Sequence, residues 1–173
     1  KSNRIASAGN NGIIKIWDPR TFELLMQFHG HSQGYYTRMD FSNDGKFLAG
    51  SQDKKVSLID LEKGEIEKEF DISDVYHGVG ISPGGKYLAA TGSEKLKIWE
   101  IASGDLYREF DVHRAFDLEF SPNGKYIATG DNDNKVKIWN IENDELILEG
   151  SHDDVAVDID FSPDNSFLAS AGW

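Results

Sequence analysis

The sequence predicts an all-β fold, a β-propeller of four-stranded antiparallel blades, on three observations. A unit of about forty residues recurs: "FSNDGKFLAGSQDKKVSLID" from Phe41, "ISPGGKYLAATGSEKLKIWE" from Ile81, "FSPNGKYIATGDNDNKVKIWN" from Phe120 and "FSPDNSFLASAGW" from Phe161 begin 40, 39 and 41 residues apart. Each unit holds short stretches of alternating apolar residues punctuated by turn residues, and no helical period intervenes. A four-stranded sheet of this size cannot bury both faces alone, so it must stack on copies of itself.

Within a unit the elements follow a fixed order. Strand a is an alternation such as "FDLEF" that ends on the anchor Phe or Ile. A tight turn follows, "SPNGK" around Pro122 or its variants "NDGK" and "PGGK", with the residues that type I turns favour. Strand b runs from a large residue to small ones, as in "YIATG", "YLAAT" and "FLAGS", the pattern of a strand squeezed between two neighbouring sheets. Strand c is "KVKIW" or a variant, with β-branched or Leu residues on alternate positions. After a turn containing Gly64, Gly104 or Asn143 comes strand d, "EIEKEF" or "DLYREF", the outermost and most polar.

One propeller segment is expected over residues 1–173, with a partial blade at 1–28, blades at about 29–70, 71–110 and 111–149, and a partial blade at 150–173. Residues 1–28 supply strands b, c and d, and residues 155–173 supply a and b, so strand b is present at both ends. Closed rings have about four to eight blades. The expectation is therefore a portion of a longer propeller, with a ring shared by two chains or a compact four-bladed monomer as the other arrangements. Lys1 in place of an initiator Met fits an excised or processed segment.

Composition narrows the function classes. An apolar content of 39% with 12% aromatics is too high for a disordered chain, and no apolar run approaches the ~20 residues that span a bilayer. Thirty acidic against eighteen basic residues give a net charge of -12, which disfavours nucleic acid and anionic membranes and favours neutral or basic partners. Cysteine is absent, so there is no disulfide framework, and an intracellular, cytoplasmic setting is expected.

The repeat resembles the WD-repeat family of β-propellers, whose signature is a Gly-His near the start of the unit and a Trp-Asp at the end of strand c. Trp17-Asp18 matches in full, Trp99-Glu100 and Trp139-Asn140 match in part, and Gly30-His31 supplies the other end. The resemblance implies a hydrogen-bonded network in each blade joining a His before strand a, a Ser or Thr in strand b, an Asp in the b–c turn and the strand c Trp. Its members here are Trp17, His31, Ser51, Asp53, Trp99, Asp133, Trp139 and His152. The sets are incomplete: Ile59 stands where His31, Ser51 and Asp53 require Trp, and Asp131 stands in place of the hydroxyl beside Asp133 and Trp139. His113 lies two residues too close to Phe120.

Catalytic, metal and cofactor sites are not expected. Asp40, Glu119 and Asp160 occupy one position of strand a, with Asp117 and Asp158 two residues earlier, and are read as acceptors for a neighbouring blade. A cation or small-ligand site, or an enzyme centred on these axial carboxylates, is the alternative. The five histidines lack metal-site spacing, and the glycines punctuate hairpins rather than cradle a phosphate. What remains is recognition of other proteins or peptides on the rim where the d–a and b–c loops converge. By alignment that rim presents Tyr35, Thr37, Gln52, Val75, His77, Arg114, Phe116, Asn132, Val155 and Trp173. A non-catalytic scaffold is thus expected, with self-association through open blade edges as a further route to partners.

Overall fold

A computed structural model describes residues 3–9, 11–29, 36–52, 54–72 and 78–173, with Tyr36 and Thr37 described by backbone alone. Seventeen strands and no helix appear among them, grouped in five antiparallel sheets. Blade 1 has β1 (Ile5–Ala8), β2 (Ile13–Trp17) and β3 (Leu24–His29). Blade 2 has β4 (Tyr36–Phe41), β5 (Phe47–Gln52), β6 (Lys55–Asp60) and β7 (Glu65–Asp71). Blade 3 has β8 (Val79–Ile81), β9 (Tyr87–Thr91), β10 (Lys95–Glu100) and β11 (Leu106–Asp111). Blade 4 has β12 (Asp117–Phe120), β13 (Tyr126–Gly130), β14 (Lys135–Asn140) and β15 (Glu145–Ser151). Blade 5 has β16 (Ala156–Phe161) and β17 (Leu168–Gly172). Each full sheet is ordered a-b-c-d, and the a strands neighbour one another from β4 to β8 to β12 to β16. These are propeller blades around an inner wall.

Turn chemistry explains why the a–b hairpins are alike. In each, a serine at the end of strand a (Ser42, Ser82, Ser121, Ser162) accepts on its side-chain oxygen the N–H that opens strand b, at 2.9 Å in all four. The same serine's carbonyl accepts from a residue in the left-handed region: Gly45, Gly85, Gly124 or Asn165. Asparagine is among the few side chains that tolerate that conformation, so the fourth turn keeps its shape without glycine. The c–d turns repeat the device at Gly64, Gly104 and Asp144, but blade 1 places Phe22 there with φ of 58°.

The large-to-small pattern of strand b has a packing reason. Leu48, Leu88 and Ile127 face the preceding blade, whereas Ala49, Ala89 and Ala128 face the following one. Four apolar layers result, the last between blades 4 and 5 around Ala128, Val136, Ala156, Ile159 and Phe161. Ile14, Ile16 and Phe28 meet Leu48, Ile59 and Leu61; Val56, Leu58 and Phe70 meet Ile81, Leu88 and Trp99; Leu96, Ile98 and Phe110 meet Phe120, Ile127 and Trp139. Each such side chain taken fully out of water contributes roughly 1.5–3 kcal/mol.

Strand d is the outermost strand, yet in blades 1 to 3 it carries the anchor of the joint with the next blade. Phe70 lies 5.2 Å from the Trp99 ring of the next blade, and Phe110 lies 5.3 Å from Trp139. Phe28 occupies the same position and meets Ile59, which explains why blade 2 dispenses with tryptophan at that place: the joint needs an apolar partner for phenylalanine. Basic side chains of strand d reinforce two joints. The Lys68 ammonium donates to the carbonyls of Ile101 and Ala102 at 2.7 and 2.6 Å, while Arg108 donates to the Glu142 carbonyl and pairs with Asp144.

Candidate functional site

The inner wall is built from strand a carboxylates. The Ile81 N–H donates to Asp40 at 2.7 Å, the Phe161 N–H to Glu119 at 2.7 Å, and the Ile159 N–H to Asp117 at 3.2 Å. Each carboxylate therefore reaches forward to the next inner strand, where the unpaired edge of strand a would otherwise leave N–H groups without partners. Blade 3 has Gly80 at this position, because a Cβ there would come within 2.9 Å of the Leu118 side chain. Asp40, Asp117 and Glu119 also line a cavity of about 470 Å³ with Arg38 at its edge.

Burial is the main influence on these groups. It pushes the Glu119 carboxyl up to about 7 against the opposing Phe161 N–H, with the negative charges of Asp160, Asp117 and Asp40 adding to it. Asp40 and Asp117 are raised by burial as well. Among the described residues no group of three or more His, Cys, Asp or Glu is placed to hold a metal ion. The wall is organised to hold blades together.

Fragments of the intrablade network lie in several blades. The Trp17 indole N–H donates to the Ser7 hydroxyl at 2.8 Å, and His152 Nε2 lies 2.7 Å from the Ser170 hydroxyl. Thr91, at the end of β9, accepts from the Gly78 N–H and donates to the Ala115 carbonyl, tying its own strand a to the loop of the next blade. In blade 4 the ladder pairs Gly130 with Val136 where blade 2 pairs Ser51 with Val56, so Asp131 sits one residue farther along. Its fully buried carboxylate accepts from the His113 N–H at 3.1 Å and pairs with Lys137 at 2.8 Å, a combination the sequence reading missed. Trp99 and Trp139 are buried as interblade anchors and Asp133 is exposed. His31 and Asp53 lie outside the described residues.

The rim assembles half of its expected members. Tyr35, Val75 and His77, and the side chain of Thr37, lie outside the described residues. Gln52 does not reach the rim: it closes the β5–β6 ladder opposite Lys55 and is only 3% exposed, buried beneath the surface it was expected to form. Arg114, Phe116, Asn132, Val155 and Trp173 come together on blades 4 and 5. The Phe116 N–H donates to the Gly130 carbonyl, Asn132 N–H to His113 and Trp173 N–H to Val155, so backbone bonds fix the loops. Phe116 and Trp173 rings lie 6.2 Å apart, and Trp173 is 78% exposed. Arg114, two residues before Phe116, is exposed, is held at a φ of 49° and donates its N–H to the Ser93 carbonyl of blade 3.

Comparison with known proteins adds family membership to this geometry. The family model described as WD domain, G-beta repeat, matches residues 22–60, 104–140 and 145–173, more than half of the chain. The chain belongs to the WD-repeat family. The matched regions omit most of blade 3. Among similar proteins, the Echinoderm microtubule-associated protein-like elp-1 of Caenorhabditis elegans is 36% identical over 63 residues, 36% of this chain and 7% of that protein. The Cross-pathway control WD-repeat protein 2 of Flammulina velutipes is 30% identical over 80 residues, 46% of this chain and 25% of its own. Pre-mRNA-processing factor 17 of Homo sapiens is 31% identical over 67 residues, 38% of this chain and 12% of its own. The matched regions thus span a quarter or less of each of these relatives.

Proposed function

We propose that the chain is a non-catalytic interaction platform that binds a protein or peptide on the rim of blades 4 and 5. The observation that carries this reading is the backbone-tied pair of Phe116 and Trp173, 6.2 Å apart, with exposed Arg114 two residues before Phe116. Aromatic and arginine side chains on a pre-organised surface are the usual anchors of protein interfaces, since little entropy is lost when they are covered. The net charge of -12 supports a neutral or basic partner. Relatives whose names state association, such as the DDB1- and CUL4-associated factor 11 homolog of Caenorhabditis elegans, support protein partners. Names that refer to pre-mRNA processing support an intracellular location.

The test is proximity capture from cell extract with a photo-crosslinker at Trp173, followed by affinity measurement on the captured protein. Phe116→Ala should weaken that binding by tenfold or more, about 1.4 kcal/mol, while the unfolding midpoint shifts little. Wild-type affinity in this variant would sink the rim assignment.

A further inference from the structure

One face of blade 4 carries more buried polarity than its hydrogen bonds account for. Thr129 and Asp131 stand two residues apart at the end of β13, on the side of the sheet that Ile127 and Trp139 turn toward blade 3, and both are 0% exposed. Lys137, the ladder partner of Thr129, shares that face. The Asp131 carboxylate uses only one of its oxygens. Oδ2 accepts from the His113 N–H at 3.1 Å and from the Lys137 ammonium at 2.8 Å, whereas Oδ1 has no partner among the described residues. The Thr129 hydroxyl has none either.

Blade 1 shows what Thr129 lacks. Ser7 holds the equivalent place, paired with Lys15 as Thr129 is with Lys137, and it accepts the Trp17 indole N–H at 2.8 Å. In blade 4 the tryptophan two residues beyond the lysine, Trp139, stacks on Phe110 at 5.3 Å, and the hydroxyl is left unbonded. A buried oxygen without a donor keeps the full cost of leaving water, and that cost is larger for a carboxylate than for a hydroxyl. Native interiors rarely carry such groups, so two of them on one face call for a third group that serves both.

We propose that one water molecule is bound behind Lys137, donating its two hydrogens to Asp131 Oδ1 and Thr129 Oγ1 and accepting from the Lys137 ammonium. That ammonium has three N–H donors and spends one on Asp131 Oδ2. Three hydrogen bonds are the usual complement of an internal water. The site also has a way in: a groove of about 680 Å³ between blades 3 and 4, lined by Tyr107, Phe110, Lys137 and Trp139, reaches the Lys137 side chain, which is 12% exposed. Neighbouring charge selects the occupant. The ammonium repels a cation, which would find two side-chain oxygens where calcium or magnesium takes about six, and the carboxylate repels an anion. Blade 4 thus replaces the direct indole–hydroxyl bond of blade 1 by a bridge that also completes its buried charge pair.

The test combines a crystal structure of the wild-type chain with magnetic relaxation dispersion of the water oxygen nucleus in solution. The crystal should show an ordered water within hydrogen-bond distance of Asp131 Oδ1, Thr129 Oγ1 and Lys137 Nζ. In solution Thr129→Val, which nearly keeps the shape and deletes the hydroxyl, should lose the dispersion amplitude of one long-lived water per chain. Thr129→Ser, which keeps the hydroxyl, should retain it. A crystal in which the site is empty or the Thr129 hydroxyl bonds a protein group directly, or equal amplitudes in wild type and Thr129→Val, would overturn the proposal. Should Thr129→Val fail to fold, the wild-type crystal decides alone.

Discussion

Replacing Glu119 by Gln isolates the charge on the inner wall. In the folded chain the carboxyl is pushed from its ordinary 4.5 to about 7, chiefly by burial. For a fully buried group that difference is worth roughly 3 kcal/mol. Glu119 is half-buried, so solvent screening reduces the figure to about 1–2 kcal/mol. The sign follows from proton binding: between about 4.5 and 7 the folded state holds the proton that the unfolded state releases. This contribution is complete below 4.5 and is lost as pH rises through 7, so stability falls across that window. Glutamine cannot ionise, and its carbonyl can still accept the Phe161 N–H that bonds Glu119 at 2.7 Å. Asp40 and Asp117 titrate in both proteins, and loss of the Glu119 charge that they face eases their ionisation in the variant, which adds to the same trend. Urea unfolding at pH 5 and pH 8.5 should therefore show E119Q gaining about 1–2 kcal/mol on wild type as pH rises. A constant difference between the two proteins, or one that shrinks, would refute the assignment of burial as the dominant influence.

Other substitutions probe the joints. Trp139→Ala removes the ring stacked on Phe110 and should cost about 3–5 kcal/mol in equilibrium unfolding. Lys137→Met strands the fully buried Asp131 carboxylate and should destabilise by about 3–5 kcal/mol, with Asp131→Asn in the same chain recovering part of the loss. Phe22→Gly relieves a bulky residue at φ of 58° and should raise stability by about 1 kcal/mol, read as a higher denaturation midpoint at unchanged slope.

The sequence carried the strands because their periodicity records two-sided burial. Leu48-Ala49, Leu88-Ala89 and Ile127-Ala128 spell out which face meets which neighbour, and a repeated turn residue marks each hairpin. The inner carboxylates were legible as acceptors because they recur at one position of strand a. Strand d misled: "EIEKEF" and "DLYREF" look polar, and only the stacked blades reveal that their single Phe is the anchor for the next blade's Trp or Ile. Gln52 misled in the other direction, since a polar residue beside a turn reads as surface until its ladder partner Lys55 fixes its direction. The Asp131–Lys137 pair escaped notice because the extra turn residue in blade 4 shifts Asp131 away from the serine position it was aligned with.

Gly80 leaves one seam different from its neighbours. Junctions 2/3 and 4/5 are pinned along the channel by Asp40 and by Asp117 and Glu119, but among the described residues no blade 3 carboxylate reaches Phe120. The 3/4 seam is instead clasped away from the axis, by Phe110 on Trp139 and by Arg108 at the perimeter. A wedge driven into the channel would pry this seam apart from the inside while its outer clasp acts as a hinge.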